Sequence, residues 1–138
     1  MNRIFADSCY WIALLNSKDR LHAAAEAAAK KIGSAGLITT DEVLSEVLNF
    51  FAGRGSQLRS IAAQTVQGIR SDVRVTVVAQ SRHSFDEALE LYQGRGDKEY
   101  SLTDCRSFVL MRQQTIIEAL TDDRHFAQEG FVTILRAA

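Results

Sequence analysis

The chain has 138 residues, a net charge of −1 and 46% apolar residues, which suits one domain over 1–138 whose core needs no disulfide or structural metal. That charge balance excludes a protein whose main work is to coat nucleic acid. Two cysteines outside any CxxC pair, Cys9 and Cys105, fit a reducing cytoplasm, and the N-terminal apolar run is too short for a signal peptide or a membrane span.

Proline is absent, so glycine carries the punctuation. "RIFA" (3–6) reads as a short strand running into Asp7, and "SCYWIALLN" (8–16) has helical spacing. The alanine-rich "RLHAAAEAAAKKIG" (20–33) closes on two lysines and stops at Gly33, as a helix should. "GLITT" (36–40) reads as a second strand. "DEVLSEVLNFFAGRG" (41–55) then repeats apolar residues at Val43, Leu44, Val47, Leu48 and Phe51, a helical face ending near Gly53. "SQLRSIAAQTVQGIR" (56–70) is a further helix. The β-branched "VRVTVVA" (73–79) is a third strand, and "SRHSFDEALELYQG" (81–94) is a Ser-capped helix. A charged loop, "GRGDKEY" (94–100), precedes the helix "SLTDCRSFVLMRQQ" (101–114) and the strand "TIIEAL" (115–120). "TDDRHFAQEG" (121–130) reads as a turn or short helix, and "FVTIL" (131–135) as an edge strand.

Strands alternating with helices predict an α/β sandwich around a mainly parallel sheet of four to five strands. In such a sheet the segments after the strands gather at one edge. Asp7 follows the first strand, Asp41 and Glu42 the second, and Asp122 and Asp123 the fourth. Glu46 lies one turn beyond Glu42, and Asp104 opens the helix that leads into the fourth strand. Each acid also has a capping reading: Asp7 as an N-cap, Thr39 with Glu42 and Ser101 with Asp104 as capping boxes, Asp122 or Asp123 as caps of a short helix. Glu46 lies too deep in its helix to cap it. Acids converging from several elements repel one another, and a hard divalent cation, Mg²⁺ or Mn²⁺, relieves that repulsion. With no nucleophilic triad in view, the set points to metal-assisted phosphodiester hydrolysis.

Four stretches, "FADSCYWIAL", "TTDEVLSEVLNFF", "DKEYSLTDCRSFVLM" and "ALTDDRHFAQEGF", resemble in order the motifs of the PIN-domain ribonucleases, especially the VapC-type toxins of bacterial toxin–antitoxin pairs. The resemblance implies a PIN-like three-layer sandwich. It also implies an acidic metal site of Asp7, Glu46, Asp104 and Asp123, with Asp122 and Glu42 as alternatives. It further implies RNA as substrate, Mg²⁺ or Mn²⁺ as cofactor, a homodimer, and a small antitoxin partner in the cytoplasm. Arg95, Lys98, Arg106 and Arg124 are candidate phosphate contacts, against the plain reading of solvated surface. Ser8, Thr103 and Thr121 are candidate partners of metal-bound water, and His125 is read as a packing or capping residue. A free-standing RNA-processing nuclease and a catalytically silent binding module are the competing functional readings.

Overall fold

In the computed structural model, which describes residues 3–136, strand and helix alternate as the spacing predicts. β1 (Ile4–Ala6) is followed by α1 (Ser8–Leu15) and α2 (His22–Ile32), and β2 (Leu37–Thr40) by α3 (Asp41–Phe51) and α4 (Ser56–Ser71). β3 (Val75–Val78) leads through α5 (Arg82–Gly94) and α6 (Leu102–Gln113) to β4 (Glu118–Leu120). The short α7 (Arg124–Gln128) then leads to β5 (Val132–Thr133). Gly33 closes α2 at φ 57°, a left-handed conformation that only glycine adopts without strain.

The sheet has five strands in the order β3-β2-β1-β4-β5, and every pairing is parallel. The chain winds outward from β1 to β3, then returns to the far side of β1 for β4 and β5. Right-handed crossovers of opposite direction put their helices on opposite faces. Accordingly α1 packs on α2 and α3, and α3 on α4, while α5 packs on α6 and α6 on α7. The reversal lies between β1 and β4, and the carboxyl ends of those strands open a crevice there.

Aromatic and aliphatic side chains fill the space on both faces. Phe5, Phe51, Phe108, Phe126, Ile38, Met111 and Leu120 are all fully buried or nearly so. Phe108 stands edge-on to Phe126 and to Tyr100, each at 4.9 Å between centroids. Burial of one such ring contributes about 2–3 kcal/mol, so this cluster fixes α6 and α7 against β1 and β4.

One capping expectation changes. The N-cap of α3 is Thr40, whose hydroxyl accepts from the Val43 amide at 3.1 Å. Thr39 is instead fully buried and donates to the Ala6 carbonyl at 2.8 Å. Glu42 therefore stands at the second helical position, too early to close a capping box.

Candidate active site

At the β1–β4 crevice, Asp7 occupies the N-cap position of α1 but makes no capping hydrogen bond. Its carboxylate turns to the buried Thr121 just past β4, whose hydroxyl donates to Asp7 Oδ2 at 2.9 Å. That hydroxyl also accepts from the Asp123 amide at 3.1 Å. With its one proton spent on Asp7, Thr121 Oγ1 takes the Cys9 Sγ–H as donor across 3.1 Å. Burial pushes the Asp7 carboxyl up to about 7, and the charges of Glu46 and Asp104 push the same way. Burial also pushes the Cys9 thiol up to about 12, so it is neither a nucleophile nor a ready thiolate ligand.

Asp104 forms the predicted capping box with Ser101: its amide donates to Ser101 Oγ, and Asp104 Oδ2 accepts from the Ser101 amide, both at 3.0 Å. The same oxygen lies 3.0 Å from His125 Nδ1. Asp123 caps α7, Oδ1 accepting from the His125 amide at 2.9 Å. Capping and clustering thus coexist in Asp104 and Asp123. Glu46 projects from the middle of α3. Burial raises its carboxyl above the usual range, Asp104 and Asp123 add to the rise, and hydrogen bonds from Ser8 and Thr103 oppose it. Asp104 is raised by burial and by Asp123, against hydrogen bonds from Ser101 and His125.

Asp7, Glu46, Asp104 and Asp123 line one open cleft of about 610 Å³, together with Ser8, Asn49, Phe50, Glu99, Ser101 and His125. One oxygen each of Asp104 and Asp123 and one ring nitrogen of His125 all lie within 4.8 Å of one another. Asp7 and Glu46 face the same cleft outside that tighter group. His125 is the residue whose place the sequence reading missed. Its signal was the spacing Asp-x-His, which puts the ring over the cap that Asp123 makes. A larger concavity, about 900 Å³ along the alanine face of α2, is mainly apolar and holds one carboxylate, Glu118, beside Arg20, Lys31 and Arg136, so the clustered acids belong to the first cleft.

The alternative acids go elsewhere. Asp122 forms an ion pair with Arg20 and does not line the cleft. Glu42 pairs with Arg106, Nε to Oε2 at 3.1 Å. Arg106 is thus turned inward: its side chain is only 4% exposed and its charge is already matched. Arg95 is also committed, gripping Glu129 through two hydrogen bonds at 3.0 and 2.8 Å. Lys98 lies beside Asp97, and Arg124 is well exposed near Glu99 at the rim. Tyr10 and Trp11 are buried in the core.

The four carboxylates are the hard oxygen donors that Mg²⁺ or Mn²⁺ prefers, and the His125 ring is held beside them by Asp104. Burial raises the carboxyls of Asp7, Glu46 and Asp104 above the usual range, and the charges of neighbouring acids add to the rise, an addition that a cation would relieve. No helix among the described residues is long and apolar enough to cross a membrane.

Comparison with known proteins agrees with this fold. Proteins from two strains of Mycobacterium tuberculosis, both named 23S rRNA-specific endonuclease VapC20, are each 29% identical to this chain over 134 residues. The match covers 95% of this chain and 97% of theirs. The crystal structure of Mycobacterium tuberculosis VapC20, described as a sarcin-ricin loop cleaving toxin, aligns with a TM-score of 0.85 at 27% identity. That alignment covers 96% of this chain and 99% of the other. A profile of the PIN domain matches residues 4–131, and the chain belongs to the PIN domain family.

Proposed function

We propose that this chain is a divalent-metal-dependent endoribonuclease, the toxin of a toxin–antitoxin pair, hydrolysing RNA at the cleft of Asp7, Glu46, Asp104 and Asp123. The observation that carries the reading is the convergence of these acids, from after β1, within α3, the start of α6 and the cap of α7, on one open cleft. The relatives named as 23S rRNA-specific endonucleases make 23S rRNA the first substrate to test. A small antitoxin protein, a homodimer and a cytoplasmic setting belong to the same proposal.

Asp7, Glu46, Asp104 and Asp123 would hold the cation. When bound, Mg²⁺ or Mn²⁺ supplies a lowered water pKa and neutralises charge on the scissile phosphate. The chain's own groups orient the donors. Thr121 fixes Asp7, Ser101 and His125 fix Asp104, and the hydroxyls of Ser8 and Thr103 near Glu46 favour its charged form. The open cleft leaves room for a phosphodiester to approach, with Arg124 and Lys98 as exposed cations for flanking phosphates. Attack by water needs no 2′-hydroxyl and leaves a 5′-phosphate and a 3′-hydroxyl.

The test is cleavage of end-labelled 23S rRNA by purified protein freed of any co-purified partner, in Mg²⁺, in Mn²⁺ and in EDTA. Expected are 5′-phosphate ends with either metal and none in EDTA. Cyclic phosphate ends, or cleavage undiminished by EDTA, would contradict the proposal. A folded protein that binds Mn²⁺ and cleaves no RNA would favour a silent binding module.

A further inference from the structure

Two charged residues set aside by the cleft meet each other in the interior. Glu42 on α3 and Arg106 on α6 form an ion pair at 3.1 Å, with side-chain exposures of 15% and 4%. Arg106 Nη2 also donates to the Ala79 carbonyl at 3.4 Å, in the segment after β3. That segment is tied to the start of α3 as well, the Gln80 amide donating to Asp41 Oδ2 at 3.2 Å. Glu42 Oε1 is buried and takes no hydrogen bond from the protein. Beside the pair lies a cavity of about 180 Å³ lined by Glu42, Gln80, Phe85, Leu102, Thr103 and Arg106.

Such a pair is a poor stabilising device. Taking two charges from water costs about as much as their attraction returns, and apolar replacements often do as well or better. What a buried pair supplies is a fixed separation. Here the separation concerns the helices that carry two of the cleft's acids. Glu42 and Glu46 stand one turn apart on α3, and Thr103 and Arg106 one turn apart on α6. Glu42 is bridged to α6 by the Arg106 guanidinium, and one turn on, Glu46 lies near enough to the Thr103 hydroxyl of α6 for it to favour the charged carboxylate. The helices thus approach at successive turns, tied at one of them by the ion pair, and Asp104 follows Thr103 directly.

We infer that Glu42 and Arg106 are positioning residues: their buried ion pair locks α3 to α6 and so sets the distance of Glu46 from Asp104 across the cleft. The inference rests on the metal-site reading above. Neither residue lines the acidic cleft, so each acts through Glu46 and Asp104.

The experiment is calorimetric titration with Mn²⁺, and thermal unfolding without metal, of wild type, Glu42→Gln, Arg106→Lys and the double variant Glu42→Met/Arg106→Met. Both single variants should bind Mn²⁺ about 10–100-fold more weakly, the usual cost of losing an orienting partner. They should lower kcat for RNA while leaving KM unchanged. The double variant, free of unpaired buried charge, should regain the wild-type unfolding midpoint yet still bind Mn²⁺ weakly. Wild-type Mn²⁺ affinity in both single variants would overturn the inference, as would a double variant that recovers stability and Mn²⁺ affinity together. Should the double variant not fold, Glu42→Gln alone decides by the same criterion. A folded wild type that binds no Mn²⁺ would overturn the metal reading and this inference with it. Wild-type binding that the variants leave unchanged overturns the inference alone.

Discussion

Asp7 is a buried acid whose sole side-chain donor is the Thr121 hydroxyl. Its carboxyl is raised by burial from 3.8 to about 7. The folded state therefore binds this proton more tightly than the unfolded chain does. Without metal, stability falls as pH rises from about 4 to about 7, by up to about 4 kcal/mol. Asp7→Asn removes the titrating group, so the metal-free variant should show a flatter unfolding midpoint over that range and exceed wild type at pH 8. Thermal scans between pH 4 and 8 check this; equal pH slopes would refute it. Since binding a cation must displace the proton, Mn²⁺ affinity of wild type should rise with pH up to about 7. At this scale the sequence was only partly legible. It offered Asp122 and Asp123 side by side, and only tertiary structure pairs Asp122 with Arg20, 102 positions away. Likewise Glu42 and Arg106 are 64 positions apart, a partnership that periodicity does not encode.

Among elements, α6 does most to shape the cleft. A helix leading into a parallel strand starts at the carboxyl edge of the sheet, which is why Asp104 stands near Asp7. Its other end is tied down by Glu129, a buried acid just past α7 that accepts from Arg112 at 2.6 Å and from Arg95 at 2.8 Å. Burial pushes the Glu129 carboxyl up, but the hydrogen bonds from Arg95 and Arg112 outweigh it and hold the group at about 2. Stability from this knot is present above about pH 4.5 and is lost as pH falls toward 2. Glu129→Gln should cost about 1–3 kcal/mol at pH 7, the two half-exposed arginines recovering some solvation. It should also lose part of the wild-type's acid sensitivity below pH 4.5. Chemical unfolding at pH 7 and pH 3 measures both, and an unchanged midpoint at pH 7 would remove the knot from the account. Element spans were largely readable, because apolar spacing and glycine stops survive in one sequence. The cap of α3 was misplaced by one residue: Thr39 and Thr40 are chemically alike, and only the strand's end decides which hydroxyl faces the helix.

At the scale of the molecule, the alternation of strand and helix already implied a parallel sheet, and a parallel sheet already implied one edge for the acids. The sequence did not state the strand order, since β4 lies beside β1 only after a long return crossover. That order turns separated carboxylates into one cleft. It also explains His125, brought by α7 against Asp104 although 21 positions separate them. The most direct test compares 23S rRNA cleavage by wild type with Asp7→Asn, Glu46→Gln, Asp104→Asn, Asp123→Asn and Asp122→Asn, in Mg²⁺ and in Mn²⁺. A four-carboxylate site predicts losses of about 100-fold or more for the first four. It predicts near-wild-type cleavage for Asp122→Asn, which breaks only a partly exposed ion pair. Full-rate cleavage by both Asp7→Asn and Asp104→Asn would contradict the site.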